Sequence, residues 1–284
     1  MTSIIVGGGL GLVGSSATQA NGLGVSGNAK IGQGNDLATV NATTGNLIIQ
    51  GQDDFLSTVG IDDSLLRTYN SQGLFDGDNN DGWRQSLYRS LAINGNGTIT
   101  RTAADGHQEL FTSAGTGIWR SLEGEGGGAH DVLRTVSTPR VTGEAYEYEA
   151  GGSGVFEMYD STGKLLGWRD DSGNLTTLTY TGTNVTGVTD ASGQTVTLIY
   201  GTGSASKNLL SIQINAHTPG SSALATQTRV TYTYDASNRL SQVKVDLTPN
   251  NTADSVFFYT SYQYDGTSTR VTKITQSTDA AGTA

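Results

Sequence analysis

The chain has no cysteine and only three prolines and three histidines in 284 residues. Without cysteine there can be no disulfide, no thiol chemistry and no Cys-based zinc site. Charged residues make up only 15%, and with so little proline this composition argues for many tight turns, not for disorder, which carries more charge and fewer aromatics. Basic residues are the scarcer sign, 16 against 26 acidic, for a net charge of -10. That balance excludes the basic patches by which nucleic acid or an anionic membrane is held.

Charge is missing altogether from residues 1–29, MTSIIVGGGLGLVGSSATQANGLGVSGNA. This stretch lacks the basic n-region of a standard secretory signal, and Gly7, Gly8, Gly9 and Gly11 interrupt an apolar run far too short to span a bilayer. It reads as a flexible or loosely packed leader, with a docking or plug segment as the alternative. The acidic, cysteine-free, Gly- and Thr-rich composition still suits a bacterial secreted or cell-surface protein.

Catalytic groups are equally sparse. His107, His130 and His217 are scattered among turn-rich segments, and no Ser-His-Asp arrangement follows from their spacing. His107 follows a turn and reads as solvated or turn-capping. His130 and Asp131 are neighbours, which on a strand sends their side chains to opposite faces. The pairs Asp53-Asp54, Asp62-Asp63 and Asp170-Asp171 read as turn residues. Gly7-Gly8-Gly9-Leu10-Gly11 lacks the Gly-Lys-Ser/Thr of a phosphate loop. No catalytic or cofactor-binding residue is nominated, and the chain is not expected to be an enzyme. One metal site is a candidate: Asp76, Asp78 and Asn80 alternate as the oxygen ligands of a calcium loop do. The register then fails, with Asp81 in the glycine position and Leu87 in that of the bidentate glutamate, so a polar turn competes with the calcium reading.

What the chain does have is 40 glycines and a repeat. Between Phe156 and Tyr200 the frame Asp-x-x-Gly opens at Asp160, Asp170 and Asp190, and Tyr180 and Tyr200 follow the last two at one offset. Aspartate accepts backbone N–H groups two residues on, and glycine takes the positive φ that reverses the chain. At Asp235 the fourth position is Asn238, the other residue that tolerates the left-handed region. The runs between, such as Leu175-Thr176-Thr177-Leu178-Thr179-Tyr180, alternate as strands do. Asn94-Gly95-Asn96-Gly97 predicts a further hairpin, and residues 37–50 another. The fold class is therefore all-β, built of antiparallel hairpins. Trp83, Trp119, Trp168 and the tyrosines read as cross-strand contacts on the packed side, with a sugar-stacking platform as the minority alternative.

The strings Tyr159-Asp160-Ser161-Thr162-Gly163-Lys164-Leu165 and Tyr234-Asp235-Ala236-Ser237-Asn238-Arg239-Leu240, with the shorter Tyr264-Asp265-Gly266, resemble the Rhs/YD-repeat family. Thr44-Gly45-Asn46-Leu47, Arg67-Thr68-Tyr69-Asn70-Ser71 and Gly82-Trp83-Arg84 look like the module that precedes the repeats there. The resemblance implies a hairpin ribbon spiralling into a hollow shell, as in Rhs toxins, insecticidal toxin complexes and teneurins. The family's Asp-Pro autocleavage junction is missing, since Pro139, Pro219 and Pro249 all follow threonine. The expected organisation is a leader (1–29), an N-terminal β-rich module (30–153) and a YD-repeat segment (154–284). The expected role is a shell segment of a secreted polymorphic toxin, partnered by the rest of the shell or its payload. A surface adhesin module binding glycans or a protein partner is the alternative.

Overall fold

The computed structural model describes residues 28–31, 36–40, 46–56, 63–72, 79–121, 131–217, 223–251 and 253–280. These residues form two antiparallel sheets, as the alternation and turn spacing predict. The smaller has five strands in sequence order: β1 (Asn28–Ile31), β2 (Asp36–Val40), β3 (Leu47–Leu56), β4 (Asp63–Asn70) and β5 (Trp83–Gln85). The larger has sixteen, from β6 (Ser90–Ile93) to β21 (Val271–Ser277), each paired with the next in sequence. After Gly154 the one helical element among the described residues is a 3-10 turn at Gly203–Ala205.

The hydrogen-bonded sheet passes through the expected 153/154 boundary, because β11 (Glu144–Glu149) pairs with β12 (Val155–Asp160). The break in pairing comes earlier, between β5 and β6. A paired ribbon carries its own backbone bonds, and here the ladder runs unbroken across that position.

Each aspartate turn is built as its residues dictate. Asp160 Oδ1 accepts the N–H groups of Thr162 and Lys164, and Asp235 Oδ1 those of Ser237 and Arg239. Gly163 and Asn238 stand at φ of 85° and 64° to close these two turns.

Alternation alone misses an irregularity just past the turn. Tyr159 faces Leu165 while Met158 faces Gly167, so Leu166 is extra. The same slip occurs at Tyr180, Tyr200, Tyr234 and Tyr264, where Thr186, Leu210, Ser241 and Thr272 are the extra residues. Each is a β-bulge, and bulges bend a strand and increase its twist. Repeated in successive hairpins, they coil the large sheet about one face.

The coil meets itself. Leu91 of β6 donates its N–H to the carbonyl of Gly163 at 2.7 Å, and Ser90 bridges to Lys164. The inner face carries one apolar core to which the small sheet also contributes Ile49, Leu65, Tyr69 and Trp83. Leu165, Val196, Leu198, Tyr232, Leu240 and Tyr262 are buried in it, and Leu178, Tyr180, Tyr200, Tyr234 and Tyr264 lie against it. This is the shared side that alternation predicts.

Candidate functional site: the seam between the two sheets

The small sheet lies across the inner face of the last strands of the large one, and the contact is polar at its centre. Arg67 of β4, 3% exposed, pairs with Asp53 of β3 and donates to the Tyr262 hydroxyl of β20 (Phe257–Tyr264) at 2.8 Å. Asp53 also accepts the Tyr232 hydroxyl of β18 (Leu224–Tyr234) at 2.5 Å. Asp36 of β2 lies 3.8 Å from Arg67 and accepts from Gln276 of β21. Both terminal nitrogens of this buried guanidinium are thus directed at oxygen partners, while its Nε meets none.

Around this centre the module motifs find their physical reasons. Trp83 packs between Tyr69 and Tyr262, its ring tilted 46° and 51° to theirs, and donates its indole N–H to the Tyr264 hydroxyl. The Tyr69 hydroxyl donates to the Thr269 carbonyl and accepts the Val271 N–H. Buried Asn46 donates to Asn70, whose own amide reaches the Asp105 carbonyl. Asp81 accepts the N–H groups of Trp83 and Leu240.

A second buried charge group joins the start of the coil to its next turn. Glu157 of β12 receives two bonds from Arg101 of β7 (Ile99–Thr102), at 2.8 and 2.9 Å. It takes a third from Arg89 and a fourth from the Tyr159 hydroxyl. Burial alone would raise its pKa, but Arg101 and Arg89 outweigh burial and hold it at about 2. Arg101 in turn stacks on the Tyr148 ring at 3.7 Å.

The tyrosines of the repeat act as pegs. Tyr180 donates to the carbonyl of Leu165, Tyr234 to that of Leu209 and Tyr264 to that of Leu240. Each accepting residue stands opposite the tyrosine of the preceding bulge. The basic residue of the turn then covers the next peg: Lys164 lies 3.7 Å from the Tyr180 ring and Arg239 4.5 Å from that of Tyr264. The string Tyr234-Asp235-Ala236-Ser237-Asn238-Arg239-Leu240 thus holds a peg, a turn acceptor, a left-handed residue, a cation lid and an inward leucine, whereas in the string from Tyr159 the tyrosine donates to Glu157 instead.

Of the calcium candidates, Asp76 and Asp78 lie outside the described residues, and Asn80 is exposed at φ 64°. Asn79 and Asp81 beside it direct their polar atoms to the repeat sheet, at Asn208, Asn238 and Leu240. Among the described residues no group of three or more acidic, histidine or cysteine side chains is placed to hold a metal. None of their helices is long and apolar enough to cross a membrane.

Two readings need correction. Asp53 and Asp54 are not turn residues: they sit within β3 at a bulge, where the slip between Gln52 and Asp54 turns both inward. His107 is not solvated but 6% exposed, since its turn is covered by Asn70 from the end of β4. His130 and Asp62 lie outside the described residues. Asp131 is buried and accepts the Tyr148 hydroxyl and the Gly151 N–H.

A family described as "Domain of unknown function (DUF6531)" matches residues 38–111, which covers the small sheet from within β2 onward and the first strands of the large one. Among curated proteins nothing matches. Among solved structures, a chain of the Tc holotoxin pore of Photorhabdus luminescens is similar at 13% identity and a TM-score of 0.17, over 87% of this chain. The chain spans 19% of the length of that one.

Proposed function

We propose that the chain is a wall segment of a Rhs/YD-type β-shell, secreted or displayed by a bacterium, whose work is mechanical enclosure. The observation that carries this reading is the coil: sixteen strands paired in sequence order, bulged after the tyrosines, with β6 meeting the β12 turn of the next layer. A sheet coiled about a common face encloses whatever lies on that face. Here the small sheet fills it, so this part of the wall is solid and any payload belongs beyond it.

Most polar groups of the seam and of the Glu157 cluster bond to one another, which supports a structural role. Cryo-electron microscopy of the natural gene product tests the proposal. The expected particle has a further strand, from the same or another chain, paired to β21 along an enclosing wall. A particle in which β21 stays an open edge overturns it, as does reproducible hydrolysis of ester, peptide or glycoside substrates by the purified chain.

A further inference from the structure

The seam holds more buried negative charge than its cations cover. Asp36, Asp53 and Asp54 enter from the small sheet, against Arg67, which is 3% exposed, and Arg229 of β18, which is 34% exposed. The other titratable groups facing them are the hydroxyls of Tyr232 and Tyr262. Arg67 gives its short contact to Asp53 and stands off from Asp36 at 3.8 Å. Asp54 uses Oδ1 for both its partners, Arg229 at 3.1 Å and the Phe55 N–H at 2.8 Å. Its Oδ2 is buried and meets no donor.

A carboxylate oxygen shut away from water and from any donor disfavours the charged form. A proton on that oxygen removes the charge and leaves both Oδ1 contacts in place. We propose that acid tightens the seam: proton uptake at Asp54, with Asp36 second, strengthens the docking of the small sheet on β18–β21. Burial, ahead of the opposing arginines, raises the pKa of both above the ordinary 3.8. A carboxyl raised in the docked state binds protons more readily there than when exposed. Its stabilising share therefore grows as pH falls towards 3.8 and is lost as pH rises through the docked-state value. Glu157, Asp160, Asp170 and Asp235 are shifted the other way and oppose this only at lower pH, below their ordinary values. The small sheet would thus hold its seat in a mildly acidic medium.

Hydrogen exchange of the whole chain between about pH 7.5 and about pH 4.5, corrected for intrinsic exchange, tests this. Residues 47–56 and 63–70 should gain protection on acidification relative to 175–200. The limiting gain, approached only below pH 3.8, is about tenfold for each unit by which Asp54 titrates above 3.8, so a smaller part of it is expected at about pH 4.5, and Asp54→Asn should flatten it. Loss of protection in acid, or an undiminished gain in D54N, overturns the proposal. A carboxyl-carbon titration of Asp54 in the unaltered chain is an independent measurement: a midpoint above 3.8 supports the proposal, and one at or below 3.8 refutes it.

Discussion

The hydroxyl of a repeat tyrosine does more than its ring. Tyr180→Phe keeps the apolar contact but leaves the Leu165 carbonyl without its donor, which costs about 1–3 kcal/mol for a buried acceptor. Tyr264→Phe should cost more in urea unfolding, because the Trp83 indole loses its acceptor in the same step. Glu157→Gln should be harsher, about 3–5 kcal/mol, since the buried Arg101 is left with only the Glu109 carboxylate, 3.8 Å away, as a charged partner. In the unaltered chain Glu157 contributes stability that is fully present above 4.5 and drains away as pH falls towards about 2. Thermal melts across that range should fall for the unaltered chain and lose this component in the glutamine variant.

At the scale of the hairpin, two glycines in equivalent turns should behave differently. Gly163 and Gly193 share a φ near 86° (85° and 86°), so alanine strains both turns by about 1 kcal/mol. A Cβ at Gly193 meets only open space, whereas one at Gly163 would be driven into the Leu91 carbonyl. Gly163→Ala should therefore expose β6 and β7 to exchange, and Gly193→Ala should leave them protected. The turns, the hairpin at Asn94–Gly97 and the inward side of β13 (Leu165–Asp170), β14 (Leu175–Thr181) and β16 (Thr195–Tyr200) were legible in the sequence, because Asp, Gly and period-two alternation act over a few residues. The bulges were not legible, since Leu166 and Ser241 fit an unbroken alternation as well as they fit an extra position. Nor was the seam: Asp53 and Tyr232 stand 179 residues apart, and a lone Asp-Asp pair has the same local signature in a turn as in a buried strand. Gly82-Trp83-Arg84 announced a module but not that its indole would anchor the far end of the chain.

For the molecule as a whole, the first-made strands are held by the last. Arg67 reaches Tyr262 over 195 residues, so the small sheet completes its contacts only when β20 is in place. Arg67→Met should leave Asp53 charged, with only hydroxyl and amide partners, at about 3–5 kcal/mol. Limited proteolysis should then open residues 47–56 and 63–70 together with 257–277, and opening of one side alone would show that the two are not coupled.

The pegs from Tyr180, Tyr234 and Tyr264 to the carbonyls behind them give the ribbon a direction. Each of these three pegs answers a need left by the preceding bulge. Removing or inserting a whole hairpin preserves that grammar, because the next tyrosine still finds a bulge carbonyl. Shifting the frame by a single residue does not, because every later peg then points to the wrong side. Length is thus a free variable for this architecture and phase is not, so variation among such chains should come in hairpin-sized steps.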